Sequence, residues 1–208
     1  MIAPIDYVLD RSSSTLLLFT AGAALGWAIR LSPAYRAGLG LAAIVAAMSV
    51  HISTRSGFEW IVSAIERPSA PGLLLLVIFA FTAITGRSFE RNSEYRFGTG
   101  ALVIAGLILY PGATGFLNYD TYVLGYSGYL LPLALVALLA YAIYRRYLFV
   151  AAALDIGILG FLLSAGRSLN LWDYIIDPVA WFLAIGAWIA IVVAFLFRKA
   201  TTRPSVPA

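Results

Sequence analysis

Apolar residues in this chain come in long blocks that charged residues rarely interrupt. Reading between the charges gives seven blocks, at 12–29, 37–54, 68–86, 97–119, 121–144, 147–166 and 178–197. A helix that crosses a bilayer needs about 20 such residues, and the blocks lack the alternation of a barrel strand. The pattern therefore predicts an all-α, polytopic integral membrane bundle of about seven transmembrane helices. We expect one helical domain, 1–200, and a disordered basic and Pro-rich tail, 201–208.

Local features refine this picture. Pro111 should kink or interrupt the fourth helix, and the short basic pair Arg145-Arg146 predicts a tight hairpin between the fifth and sixth. Segment 58–66 has one apolar stripe, which is typical of a short helix lying in the membrane interface. The pattern Gly22-x-x-x-Gly26 predicts close packing of the first helix against a neighbour.

The basic residues predict the orientation of the chain. With seven spans, one set of loops carries Arg30, Arg36, Arg87, Arg91, Arg96, Arg145, Arg146, Arg198, Lys199 and Arg203. The opposite loops carry only Arg11, Arg55, Arg67 and Arg167. Loops rich in Arg and Lys stay in the cytoplasm. We therefore expect a multi-pass protein of the cell inner membrane with its N-terminus outside and its C-terminus in the cytoplasm.

Composition agrees with a lipid environment and excludes several chemistries. The 208 residues are 62% hydrophobic and 12% charged, with a mean hydropathy of +0.90, whereas soluble domains are about a quarter charged. There is no cysteine and a single histidine, His51, so thiolate catalysis, disulfides and multi-histidine metal sites are excluded. We expect no metal and no cofactor. The net charge of +4 fits cytoplasmic loops better than nucleic-acid binding.

The loop around residues 168–178 gathers polar and aromatic groups between two apolar blocks. Asp177 followed by Pro178 is typical of a helix start, with Asp as the N-cap. Asn170 and Asp173 have the spacing of an N-cap and an acid in the first turn. Trp172 suits the aromatic belt at the level of the lipid headgroups. Each of these side chains therefore has a structural interpretation.

A second interpretation assigns the same region to ligand binding. The other late outer loop, 118–122, also places an Asn before an aromatic and acidic cluster. A flat ring beside a carboxylate can stack on a sugar or bind a polar lipid headgroup. The candidate ligand-binding residues are Trp172, Asp173, Asp177, Tyr119 and Asp120. They predict a working face on the outer side of the membrane.

Asp155 is the ionisable acid inside a predicted span, near the middle of the sixth. A charge at that depth costs at least ~2.5 kcal/mol, so we expect the neutral form and a side chain that points at another helix. Its expected hydrogen-bond partners are Thr20, Ser49, Thr82 or Tyr110. Such a group can hold helices together or carry protons, and the sequence leaves both roles open.

The sequence Gly125-Tyr126-Ser127-Gly128 resembles the GxSG motif of rhomboid intramembrane serine proteases. The resemblance covers these residues alone. It implies Ser127 as a nucleophile, but the family places its histidine base downstream of the serine, and here His51 lies upstream. The alternative is that the glycines allow close helix contact and Ser127 caps a helix.

These observations lead to three hypotheses. The first is a non-enzymatic accessory or binding subunit at the outer leaflet that takes part in cell-envelope assembly, with a lipid-linked or glycan-bearing intermediate or a membrane protein as its partner. The second is a small transporter or flippase that uses Asp155 as a protonatable group. The third is a rhomboid-like serine hydrolase with Ser127 and His51 as its dyad. Nothing in the sequence supplies a complete catalytic set, so the first is favoured.

Overall fold

The computed structural model describes residues 4–64, 68–87, 92–164 and 168–201, and most of them are helical. The helices are α1 (Pro4–Ala28), α2 (Pro33–Ser49), α3 (Gly57–Ala64), α4 (Ala70–Thr85), α5 (Asn92–Ala113), α6 (Leu130–Tyr144), α7 (Leu148–Leu162), α8 (Trp172–Ile175) and α9 (Pro178–Thr201). The all-α prediction is confirmed, because a long helix lies in each of the seven apolar blocks. The tail predicted for 201–208 lies outside the described residues apart from Thr201, the last residue of α9.

A small β-hairpin follows α2, where the sequence predicted that the second helix would continue to residue 54. Strands β1 (His51–Ile52) and β2 (Arg55–Ser56) pair antiparallel, and Ser53 turns the chain with a φ of 59°. Ser56 caps the start of α3, because its hydroxyl accepts from the Glu59 N–H at 3.2 Å. The N–H and hydroxyl of Ser56 also donate to the Glu59 carboxylate at 2.8 and 3.1 Å. These bonds to Ser56 lower the pKa of Glu59. The predicted short helix at 58–66 is thus confirmed as α3.

Close packing of α1 is confirmed at the glycine pair. A Cβ on Gly22 would lie 2.8 Å from the Cα of Gly40 in α2, and one on Gly26 would lie 3.1 Å from the Cα of Arg36. The small residues therefore let the two backbones touch. Arg36 also fixes the end of α4, because its guanidinium donates to the carbonyls of Ala83 and Ile84 at 3.2 and 3.3 Å.

Helix α4 joins the two halves of the bundle. On one side it packs against α1 and α2, and on the other against α7, α8 and α9. The hairpin of α6 and α7 forms as predicted, and Arg146 makes its turn with a φ of 56°. Helix α5 packs along α9, where Gly100 faces Trp188 and Gly106 faces Trp181. Pro111 lies in the last turn of α5, which ends at Ala113.

Three helices, α4, α6 and α7, are shorter than the apolar blocks that predicted them, with 16, 15 and 15 residues. Within the described ranges, α5 is the one helix that is both long and apolar enough to cross a membrane. The apolar helices α4, α6 and α7 are shorter than the roughly 20 residues that a straight crossing of the bilayer needs. Helix α6 begins nine residues after its block does, because the 3₁₀ helix Thr121–Gly125 precedes it, whereas α4 and α7 end just before residues with positive φ, Gly86 and Ser164.

Candidate functional site

The two loops that the sequence analysis compared fold onto each other at one end of the bundle, called here the α8 end. Asn170 is fully buried between them. Its amide nitrogen donates to the carbonyl of Tyr122 at 2.9 Å, and its amide oxygen accepts from the backbone N–H of Trp172 at 2.9 Å. The Leu171 N–H donates to the carbonyl of Gly125 at 2.9 Å. The sequence suggested Asn170 as a helix cap, and the structure adds that it joins two loops.

Trp172 is an internal side chain and only 5% exposed. Its indole N–H donates to the carbonyl of Thr121 at 3.1 Å, and its ring packs in a cluster that includes Leu109, Leu131 and Leu135. A sugar needs an open ring face, and a belt residue needs contact with the headgroups. Trp172 is therefore part of the internal packing at the α8 end. Its buried position does not allow the two surface roles predicted for it, stacking on a sugar and contact with lipid headgroups.

Asp177 is buried and holds the starts of two helices together. One carboxylate oxygen accepts from the N–H of Ala180 at 2.8 Å, which confirms the predicted N-cap of α9. The other oxygen accepts from the backbone N–H and the hydroxyl of Ser69, both at 2.7 Å. Ser69 in turn caps α4, because its hydroxyl accepts from the N–H of Gly72 at 3.2 Å. With both oxygens engaged, Asp177 is a structural residue and not a free ligand contact.

The remaining predicted residues are exposed and close together. The Tyr122 hydroxyl donates to the carboxylate of Asp173 at 2.8 Å, and the Asp120 carboxylate accepts from the Tyr122 N–H at 2.8 Å. Tyr119, next to Asp120, is 63% exposed. A depression of about 230 Å³ lies beside them, with Tyr122, Asp173 and Asp177 in its wall. Tyr119, Asp120 and Asp173 therefore stay candidates for contact with a polar ligand.

Tyr122 is a neutral hydrogen-bond donor in this arrangement. Burial, and then the hydrogen bonds with Asp173 and Tyr126, raise the pKa of the Tyr122 phenol well above its usual range. The phenol therefore keeps its proton at neutral pH and leaves the negative charge on Asp173. The exposed surface at this position is anionic, which suits hydroxyl groups or a cation.

A larger and almost entirely apolar cavity of about 540 Å³ lies on the other side of α8. Four helices line it, represented by Leu74 in α4, Ala101 in α5, Ala134 in α6 and Val150 in α7, while Trp172 lines it from α8. Its size falls within the ~300–1,000 Å³ range of small-molecule sites. Along α5 it runs from Glu94 to Ile108, which is about 20 Å at ~1.5 Å per residue.

The polar groups of this cavity lie at the end away from α8. The Glu94 carboxylate is buried and accepts from the backbone N–H groups of Phe149 and Val150 at 2.6 and 3.2 Å. It therefore caps the start of α7, where a carboxylate is favoured by the free N–H groups. Arg96 also lines that end. Glu94 was not among the predicted site residues, because it lies just before the apolar block 97–119. The cavity was not predicted either, because residues of several helices form it.

Asp155 does not point at another helix, so that prediction is wrong. Its side chain is exposed on the outside of α7, and no described hydrogen bond links it to Thr20, Ser49, Thr82 or Tyr110. It lines neither of the two cavities described above. The physical reason is that α7 turns its small residues inward, where Gly157 contacts the backbone of Tyr174.

The structure does not pair Ser127 with His51. The imidazole Nδ1 of His51 lies 3.0 Å from the carbonyl oxygen of Ser49, within the same turn of chain. The hairpin that carries His51 packs with α2 and α3, whereas Ser127 lies between the 3₁₀ helix Thr121–Gly125 and α6. Both side chains are exposed. Ser127 therefore lacks a base among the residues described around it.

Comparison of the chain with protein-family models, with curated proteins and with solved structures finds no match.

Proposed function

We propose that the chain is a multi-pass protein of the inner membrane, with its N-terminus outside and the α8 end at the outer surface. Support comes from the side chains that the bundle leaves exposed. Large apolar residues face outward on the long helices, for example Val45, Leu107, Val136 and Phe182. A water-soluble monomer rarely exposes a contiguous apolar patch larger than ~300–600 Å². Lipid tails would cover this surface without cost.

Exposed aromatic side chains give a second line of support. They occur near both ends of the bundle. At the α8 end they are Phe116, Tyr119, Tyr126 and Tyr129, and at the other end they are Trp27, Tyr35, Tyr141 and Tyr144. Tyrosine and tryptophan are enriched at the two membrane interfaces. The distance between these groups of residues would then mark the thickness of the bilayer that the protein occupies.

The orientation has a direct test. A reporter fused after Ala208 should be inaccessible to a membrane-impermeant reagent in intact bacterial cells, and a tag before Met1 should be accessible, because the Arg-rich loops stay in the cytoplasm. Permeabilised cells provide the control in which both tags react. Access to the C-terminal reporter in intact cells would contradict the orientation and move the α8 end to the cytoplasmic side.

Within that setting, the protein is a non-enzymatic binding subunit that holds the apolar chain of a lipid-linked molecule for envelope assembly. The apolar cavity is the observation that carries this function. It extends for about 20 Å along α5 and reaches Trp172 at the α8 end, whereas its charged lining residues, Glu94 and Arg96, lie at the opposite end. The exposed Tyr119, Asp120 and Asp173 lie at the same end, where the polar headgroup of such a molecule would be.

The geometry favours this function over the two alternatives. A transporter that works by protonation of Asp155 needs a pathway that reaches this carboxyl, and neither described cavity includes it. A serine hydrolase needs a base beside Ser127, and His51 contacts Ser49 instead. Binding of an apolar chain needs only the cavity that is present.

The test of this function fills the cavity. Ala101→Trp and Ala134→Trp place an indole in the space that the lipid chain would occupy, while Ala140→Trp adds the same ring to an exposed face of α6 that does not line the cavity. Protein purified in a mild detergent is extracted, and the released lipid is measured by mass spectrometry. We expect the two cavity variants to retain at least about tenfold less lipid, a loss of ~1.4 kcal/mol in binding.

The control variant should retain as much lipid as the wild type. Thermal unfolding in the same detergent identifies a variant that has lost its fold, so that lipid loss is compared only between folded proteins. Equal lipid content in the wild type and in folded Ala101→Trp would contradict the proposed function.

A further inference from the structure

The outward face of α7 carries a regular stripe of exposed residues. Its members are Leu148, Ala152, Asp155, Leu159 and Leu162, called here the α7 stripe, and all of them are exposed. They follow one another at intervals of four, three, four and three residues. This is the heptad spacing by which one helix packs against another along a left-handed seam.

The stripe belongs to a helix whose other face is fully occupied. Ala153, Leu154 and Gly157 are buried where α7 packs against α4, α6 and α8. The stripe therefore has no partner in the described part of the chain although the helix itself is firmly held. Ala152, next to Asp155 on the stripe, is small enough to let a neighbouring backbone approach.

A carboxyl group in the centre of this stripe is not suited to lipid. Asp155 lies midway along α7, and its neighbours on the stripe are apolar. An ionisable side chain within the bilayer faces other protein or water and pairs with a group there. Since no residue in the described ranges covers Asp155, its partner is expected from another molecule, and a carboxylate is complemented by a cation.

We propose that the α7 stripe is the docking site for a transmembrane helix of another membrane protein that carries a Lys or Arg midway along its length. The apolar residues of the two helices interdigitate, and the cation pairs with the Asp155 carboxylate. A charged residue inside a helix seam sets the register and excludes partners without the complementary group. The site extends the proposed function, and it depends on the membrane placement in that proposal.

A second copy of this chain does not supply the complement. The seven apolar blocks contain no Lys or Arg, so no cation of a second copy lies at the depth of Asp155. Two copies with the same orientation that met along this stripe would place one Asp155 against the other, so neither would supply the cation that a carboxylate needs.

The proposal is tested with synthetic transmembrane peptides in phosphatidylcholine vesicles. Because the chain has no cysteine, Leu163→Cys gives a single labelling position at the exposed end of α7. Energy transfer from labelled peptides of about 20 apolar residues with a central Lys, or a central Leu, measures their association with the full chain. We expect the Lys peptide to bind roughly tenfold more tightly than the Leu peptide.

Two variants show whether the carboxylate on this stripe is responsible. Asp155→Leu should abolish the preference for the Lys peptide. Asp155→Leu combined with Val136→Asp, which puts a carboxylate on an exposed face of α6, should not restore it. Absence of a preference in the wild type, or a preference that persists in Asp155→Leu, would overturn the docking site.

Three further outcomes are also decisive. Energy transfer between two labelled copies of the chain that the Lys peptide does not displace, and that Asp155→Leu removes, would assign the stripe to a second copy and overturn the proposal. Release of the protein from vesicles by alkaline carbonate would overturn the membrane placement and the docking site together. An inserted protein that retains its lipid but shows no preference for Lys would overturn the docking site alone.

Discussion

Replacing Asp177 by Ala should lower the free energy of unfolding by about 3 kcal/mol. The carboxylate is buried and accepts from the N–H of Ala180 and from the N–H and hydroxyl of Ser69. Hydrogen bonds to a charged group contribute ~1.5–3 kcal/mol each, and buried donors left without an acceptor cost ~1–3 kcal/mol. The total cost is smaller than the sum of these values, because the starts of α4 and α9 can move apart and let water accept from the freed donors.

The measurement is chemical unfolding in a mild detergent, followed by circular dichroism. Asp173→Ala is the matched control, because it removes an exposed carboxylate from the same segment and breaks only its contact with the Tyr122 hydroxyl. The control should cost no more than ~1 kcal/mol, as expected for one exposed hydrogen bond. Equal effects of the two substitutions would show that Asp177 does not hold the two helices together.

Replacing Gly125 by Ala should separate the two loops at the α8 end and cost about 3 kcal/mol. A Cβ at this position would overlap the side-chain amide of Asn170 and lie 2.9 Å from Cδ1 of Trp172. Both neighbours are buried, so neither can move aside without strain, and overpacking typically costs ~1–3 kcal/mol. Displacement of Asn170 would also break its hydrogen bonds with Tyr122 and Trp172.

Trp172 reports on this change directly, since its fluorescence depends on its buried setting. The emission of the Gly125→Ala protein should shift to longer wavelength as the ring gains contact with water. Gly186→Ala is the control, because a Cβ there meets nothing within 4 Å and the residue lies in α9. Alanine favours a helix over glycine by roughly 0.5–1 kcal/mol, so this variant should be at least as stable as the wild type. A spectrum of Gly125→Ala identical to the wild type would contradict the packing described for the α8 end.

The positions of the long helices could be predicted because their sequences are apolar over many turns. Most of their ends could not, since charge-free length says nothing about where the chain reverses direction. The basic pair Arg145-Arg146 did mark the turn between α6 and α7, whereas Ser164, which has a φ of 50° just after α7, is not a glycine that would have marked the end of that helix. The hairpin at 51–56 was missed although Ser56 and Glu59 have the spacing of a capping box, which marks a helix start.

The candidate site was predictable to the extent that its contacts are local. Asp177 before Pro178 indicates an N-cap, and the structure has it. The partner of the same carboxylate, Ser69, comes from a distant part of the chain, and no local pattern identifies it. In the sequence, Trp172 resembles an aromatic residue of the membrane interface. Its burial depends on the hydrophobic cluster around its ring and on the hydrogen bond to the Thr121 carbonyl, which come from distant parts of the chain.

The cavity and the exposure of Asp155 depend on how several helices are arranged. Each wall of the cavity is an ordinary apolar helix face, which a sequence pattern assigns to close packing. Asp155 was expected to point inward because a mid-helix carboxyl is usually covered by its own bundle. The inward face of α7 is taken by Ala153 and Gly157, and this leaves the acid outside.

The bond between Ser69 and Asp177 joins positions 108 residues apart. At a synthesis rate of ~5–20 residues per second, the ribosome supplies the aspartate roughly 5–20 s after the serine. During that interval the first four helices have already been synthesised, while the cap of α4 still lacks the carboxylate. The start of α4 therefore reaches its final hydrogen bonding only after the ribosome has begun the last helix.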